Sequence, residues 1–130
     1  MLDFHVDVSS GVPPYAQLVQ QVKQALRLGW LQPGDRLPPV HELAASVAIN
    51  PNTVHKAYKE LEHAGLIAGR PGQGTFVRRS LSQSTPAAVS ALSRRLARWI
   101  AAARDAGLDD DGIMDIVRAT MRAADVDKTA

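Results

Sequence analysis

The sequence predicts a mainly α-helical protein with a small β wing. A winged helix-turn-helix spans residues 1–79, a polar linker 80–85, a two-helix region 86–124, and a frayed tail 125–130. Three observations predict this. Two short helical stripes, Val40/Leu43/Ala44/Val47 and Val54/Ala57/Tyr58/Leu61, are separated by a tight turn that leads into Asn50-Pro51. Behind Gly65, two apolar runs at 66–68 and 75–77 flank a loop at 69–74 holding three glycines and an arginine. Beyond Thr85 only helical stripes recur.

At the amino terminus, Phe4, Val6 and Val8 alternate with Asp3, His5 and Asp7, the pattern of a short half-buried strand. Ser9-Ser10-Gly11 breaks it, and Pro13-Pro14 opens a helix, because a first-turn proline lacks only an N–H that would have no partner there. Leu18, Val19, Val22, Ala25 and Leu26 give that helix a buried face, and Gln17, Gln20, Gln21, Lys23, Gln24 and Arg27 a solvated one. Gly29 ends it. In the connector that follows, Pro33-Gly34 marks a turn, and Trp30, Leu31 and Leu37 are expected to tuck against the first helix. The next helix is short and ends at the Ala48-Ile49 turn. Asn50 then serves as N-cap with Pro51 in the first helical position, and Gly65 supplies the stop. The hairpin pairs 66–68 with 75–77.

After the linker, Thr85-Pro86 repeats the cap-then-proline start. Val89, Leu92, Leu96, Trp99, Ile100 and Ala103 carry an apolar stripe towards Gly107. Asp109-Asp110-Asp111 opens the last helix with acids at the positive end of its dipole. Ile113, Ile116, Val117, Thr120 and Met121 follow at helical spacing. Two helices in about 45 residues are too few to enclose the roughly 300 Å³ or more of a small-molecule pocket. Their stripes are more naturally buried against a second copy, as in a homodimer.

With 130 residues and 45% apolar composition, the chain can build a core. The net charge of +2 permits nucleic-acid binding without arguing for it. Its distribution says more. Residues 36–79 hold six basic side chains against three acidic ones, whereas from residue 81 onward seven face seven. The absence of cysteine excludes a disulfide scaffold and thiolate metal sites, and fits a cytoplasmic setting. The acidic amino terminus does not read as a signal peptide, and no apolar run approaches a membrane span. The four histidines form no metal-ligand spacing, no cofactor motif is present, and the glycines at 69–74 lie in a hairpin and not between strand and helix, where a phosphate loop would sit. No nucleophile–base pair suggests an enzyme.

Placing Val54, Ala57, Tyr58 and Leu61 inward turns Asn52, Lys56, Lys59 and His63 outward, with Thr53 and His55 at the edges. The first turn of a recognition helix is the part that reaches base edges in a DNA major groove. Asn52 can pair bidentately with adenine, and Thr53 can touch phosphate or a thymine methyl. Lys56 and Lys59 suit phosphate, which positions without reading sequence. Arg70, with Gly72 and Gly74, could lay the hairpin on the backbone or dip a cation into the minor groove. A winged-helix protein-interaction module without DNA binding is the alternative.

The residues Pro33-Gly34-Asp35-Arg36-Leu37-Pro38, Glu42-Leu43-Ala44, Asn50-Pro51-Asn52-Thr53-Val54, Ala57-Tyr58, Gly65-Leu66-Ile67 and Gly72-Gln73-Gly74-Thr75-Phe76-Val77, with Pro14-Tyr15 and Gln17-Leu18 upstream, resemble the winged-helix domain of GntR-family bacterial transcription regulators. The Asn-Pro-Asn-Thr-Val entry and the short tail resemble its YtrA-like subfamily. The resemblance implies a cytoplasmic homodimeric repressor that binds double-stranded DNA at a palindromic operator, often near transporter genes, with room for an unidentified small-molecule effector. It implies DNA contacts at Arg36, His41, Asn50, Asn52, Thr53, His55, Lys56, Lys59, Arg70, Gly72 and Gly74, and dimer contacts at Val89, Leu92, Leu96, Trp99, Ile100, Ile113, Ile116, Val117 and Met121. The chain departs from the family pattern at Pro39 and His41, where serine and a DNA-contacting arginine are common, and at His55.

Overall fold

The computed structural model describes residues 3–129, with side chains for 3–126. In chain order the elements are α1 (Pro14–Arg27), α2 (Val40–Val47), α3 (Pro51–His63), β1 (Ile67–Arg70), β2 (Gly74–Val77), α4 (Pro86–Asp105) and α5 (Asp110–Thr129). This is the winged helix-turn-helix followed by two helices that the sequence predicts.

The first of two compact units runs to Val89. Its core joins Leu18, Val22 and Leu26 of α1, Leu43 of α2, and Val54 and Leu61 of α3 to Leu37, Leu66, Ile67 and Val77, all fully buried. Both α1 and α2 pack on α3. That helix starts as expected: Asn50 Oδ1 accepts the Asn52 N–H at 2.8 Å, ahead of Pro51 in the first turn. Ala48 closes α2 in a left-handed conformation at φ 58°, giving the abrupt turn between the two helices. The far end of α3 is tied down twice. The Arg79 guanidinium donates to the Ala64 carbonyl at 2.9 Å, and Glu62 Oε1 accepts the Gly69 N–H at 3.0 Å.

The wing differs from expectation in two respects. The strands reach Arg70 and Gly74, so the loop is only Pro71-Gly72-Gln73. The connector also supplies a third edge: Leu37 N–H donates to Thr75 O at 2.9 Å and Val77 N–H to Asp35 O at 2.8 Å, with Arg36 paired to Phe76. Leu31 and Leu37 are buried as expected, but Trp30 is 40% exposed.

The expected amino-terminal strand is not a strand. Phe4 and Val6 do rest on the core, yet Val8 is exposed and no ladder partner exists among the described residues. Two glutamines of α1 replace that partner. Gln21 Oε1 accepts the His5 N–H at 3.1 Å while its amide donates to His5 O at 2.6 Å. Gln17 does the same for Asp7 at 2.8 Å in each direction. A primary amide has the donor and acceptor of a peptide, so it satisfies the backbone as a neighbouring strand would. Gln17 and Gln21 therefore leave the solvated face assigned to them.

The two units divide after Val89, inside α4, and not in the polar linker at 80–85. The reason is local. Gly29 has φ +75°, and a Cβ there would lie 3.3 Å from the Ser84 carbonyl oxygen and 3.4 Å from Pro86 Cδ. The linker and the first turn of α4 are thus seated on the end of α1.

In the second unit, Asp109 Oδ1 caps α5 by accepting the Gly112 N–H at 2.8 Å. An exposed ion pair joins Arg104 to Asp110 at 3.2 Å. Helix α5 takes in residues 125–129, the stretch expected to fray. Ala130 lies outside the described residues. No helix among the described residues is long and apolar enough to cross a membrane.

Candidate nucleic-acid interface

The outward face of α3 forms one wall of a groove of about 510 Å³. Asn52, His55, Lys56, Lys59 and Glu62 line it from α3, Val40 from the start of α2 and Thr75 from β2. One turn separates Asn52, Lys56 and Lys59 along the helix, so they stand in a row. Burial of Val54, Ala57, Tyr58 and Leu61 holds that row outward. Tyr58 locks the geometry from beneath, since its hydroxyl donates to the Pro38 carbonyl at 2.6 Å, tying α3 to the entry of α2. Burial pushes the Tyr58 hydroxyl well above its ordinary range, and the nearby Glu42 carboxylate adds to that. Tyr58 is therefore a neutral donor and part of the core, not a stacking platform.

A second depression, of about 600 Å³, lies on the wing. Arg36, Arg70, Gly72 and Gly74 line it, and Thr75 is shared with the groove. Gly74 is required here. At φ +121° it takes a conformation that other residues rarely adopt, and a Cβ would fall 2.8 Å from Arg36 Nε. The Arg36 guanidinium occupies the space where a side chain at position 74 would start. Arg70 stacks on Phe76, its Cζ 4.5 Å from the ring centroid, and Lys56 Nζ stands 3.9 Å above the Tyr15 ring. Among the described residues none of Arg36, Lys56, Lys59 and Arg70 is paired with a carboxylate. All four stand on an exposed surface, which suits a polyanion.

The structure thus brings together Asn52, His55, Lys56 and Lys59 on one side and Arg36, Arg70, Gly72 and Gly74 on the other. Three predicted residues lie outside both linings. Asn50 spends its side-chain oxygen on the helix cap, Thr53 is half-buried at the edge of α3, and His41 is exposed on the first turn of α2. Sequence reasoning missed three others. Thr75 was read only as a strand residue, Glu62 only among the acidic residues of 36–79, and Tyr15 stands 41 positions before the lysine it carries, so no local spacing could connect them. No group of three or more potential metal ligands forms among the described residues.

In the second unit an open apolar trough of about 380 Å³ runs between α4 and α5, lined by Leu96, Trp99, Ile116, Val117, Thr120, Met121 and Ala124. Four of the nine predicted dimer residues lie elsewhere: Leu92 is exposed off the trough, Val89 and Ile100 are half-buried, and Ile113 is buried within the helix pair together with Ala103.

Comparison with known proteins places this geometry in context. The family model described as bacterial regulatory proteins, gntR family, matches residues 14–77. The HTH-type transcriptional regulator Rv1152 of Mycobacterium tuberculosis is 39% identical over 109 residues, covering 84% of this chain and 86% of that protein. The HTH-type transcriptional repressor YtrA of Bacillus subtilis is 49% identical over 72 residues; that match spans 55% of each protein, little more than half of either. Among solved structures, a transcriptional antiterminator from Listeria monocytogenes superposes with a TM-score of 0.57 at 30% identity, covering 92% of this chain and 90% of that one. The DNA-binding domain of AraR in complex with operator ORX1 gives a TM-score of 0.53 at 26% identity, over 57% of this chain and 94% of that one.

Proposed function

The chain belongs to the GntR family of bacterial transcription regulators, and from that premise we propose that it is a homodimeric, sequence-specific DNA-binding repressor of the YtrA-like type, acting in the cytoplasm on a palindromic operator. The observation that carries this reading is the continuous cationic face from α3 to the wing, whose four cations have no carboxylate partners among the described residues. In this reading α3 enters the major groove, Asn52 and His55 meet base edges, Lys56 and Lys59 meet phosphates, and Arg36 and Arg70 follow the backbone beside the wing. A domain of this fold bound to operator DNA in AraR supports that docking. The YtrA relative, a repressor by name, supports the sign of regulation, and a transporter-type operon is the target that the family resemblance implies.

The second copy is inferred from the tail. An apolar trough with Leu96 50%, Trp99 39% and Met121 64% exposed is a surface that a monomer would leave wet. Covering it with the same trough from a second chain makes an isologous interface and sets two copies of α3 on two half-sites.

A salt titration of binding to the protein's own upstream DNA tests the reading. Four cations per copy and two copies give a slope of log K against log salt of about −7. Lys59→Ala should weaken binding to all sequences alike and make that slope shallower by about 2 for the dimer. A slope near zero, or equal affinity for random DNA, would remove the proposal.

A further inference from the structure

We propose that Tyr15 is a positioning residue for DNA binding: its ring holds the Lys56 ammonium in place for a phosphate contact without neutralising it. The inference rests on the DNA-binding reading above, and one arm of its test is independent of that reading. Lys56 Nζ stands 3.9 Å from the Tyr15 ring centroid. Tyr15 is half-buried on the second residue of α1, a helix packed firmly on α3, so the ring is a fixed platform. Lys56 is exposed and lines the groove between Asn52 and Lys59.

The chemistry of the pair decides what it does. A free lysine side chain samples many rotamers and loses that freedom on meeting a phosphate. A carboxylate partner would restrict it, but would also cancel the charge that the phosphate needs. The π-face of a ring attracts the cation through its quadrupole and leaves the net charge intact. Lys59, with no ring partner among the described residues, lacks this restriction. The wing repeats the device with Arg70 on Phe76, where ring and cation both belong to the hairpin. The pair Tyr15–Lys56 differs because it joins two helices.

Two variants and one background test the proposal. In the free protein, the Lys56 ε-methylene protons should be shifted upfield by the Tyr15 ring current; Tyr15→Phe should keep that shift and Tyr15→Leu abolish it. On DNA from the protein's own upstream region, Tyr15→Leu should weaken binding of the dimer by up to roughly five- to thirtyfold, the worth of one exposed cation–π contact in each copy. Tyr15→Phe should bind as the wild type does. In a Lys56→Ala background, Tyr15→Leu should have no further effect. The proposal is overturned if Tyr15→Leu costs the same with and without Lys56, which is what a purely structural role gives. It is also overturned if Tyr15→Phe and Tyr15→Leu lose affinity equally, which would make the hydroxyl the contact, or if the free protein shows no ring-current shift. Absence of DNA binding by the wild type would instead defeat the broader reading, leaving the ring-current result to judge the pair itself.

Discussion

The two units of the chain use the same kind of helix to different ends. In the winged unit the apolar stripes are closed by their own chain, with Leu18, Val22, Leu26, Val54 and Leu61 at 1% exposure or less. In the two-helix unit the stripes have equal spacing, but Leu92, Leu96 and Met121 remain 59%, 50% and 64% exposed, and only Ala103 and Ile113 are buried among the described residues. The stripe alone does not say what will cover it. Three helices and a wing can surround a core, whereas two helices can only share a seam and must leave their outer faces open.

The sharpest way to break this contrast is a pair of truncations. Leu61→Ala should destabilise the winged unit by about 3 kcal/mol, through lost burial plus the cavity left in a filled core, read as a lower midpoint in urea. Leu96→Ala should leave that transition within about 0.5 kcal/mol, since Leu96 belongs to the two-helix unit and not to the winged core. Equal losses would show that the winged unit does not close its own core. Next in size, Leu96→Glu should weaken self-association by about thirtyfold or more in sedimentation, because a carboxylate cannot be buried in an apolar seam without a partner. Asn50→Ala should cost the winged unit about 1 kcal/mol by removing the cap on α3, while Asn50→Asp should retain most of it.

An effect as small as that of the cap concerns Tyr58. Its hydroxyl ionises less readily in the folded chain than in the unfolded one, so the unfolded chain gives up this proton first as pH rises. Its contribution is fully present below about pH 10 and is lost progressively above it. Tyr58→Phe should lower neutral-pH stability by about 1 kcal/mol for the lost hydrogen bond to Pro38 and make the alkaline decline shallower.

Much of the fold was legible because local rules dictated it. Asn50-Pro51 starts α3 and Thr85-Pro86 starts α4 by chemistry confined to neighbouring residues. The misses are all long-range. Glutamine side chains satisfying residues 5 and 7, Arg36 pairing with Phe76, and Gly29 seating the linker each depend on contacts across the fold that periodicity does not encode. The site divides the same way. Asn52, Lys56 and Lys59 follow from a helical wheel, but Tyr15 and Thr75 reach the groove only once α1 and β2 are packed. His41 and Thr53, placed by analogy and by wheel edge, fall outside the groove lining: His41 sits on the first turn of α2, and Thr53 is half-buried at the edge of α3.

The winged unit closes its own core in one copy, whereas in the proposed dimer a second copy completes the tail and two α3 helices meet one duplex. Sedimentation of the full chain, alone and with DNA from its own upstream region, tests this most directly. The expected result is a dimer in the free protein and two copies per duplex, both reduced to one by Leu96→Glu. A wild-type chain that stays monomeric at tens of micromolar (~10–50 µM, far above the concentration at which a stable interface holds) and binds DNA as a single copy would contradict it.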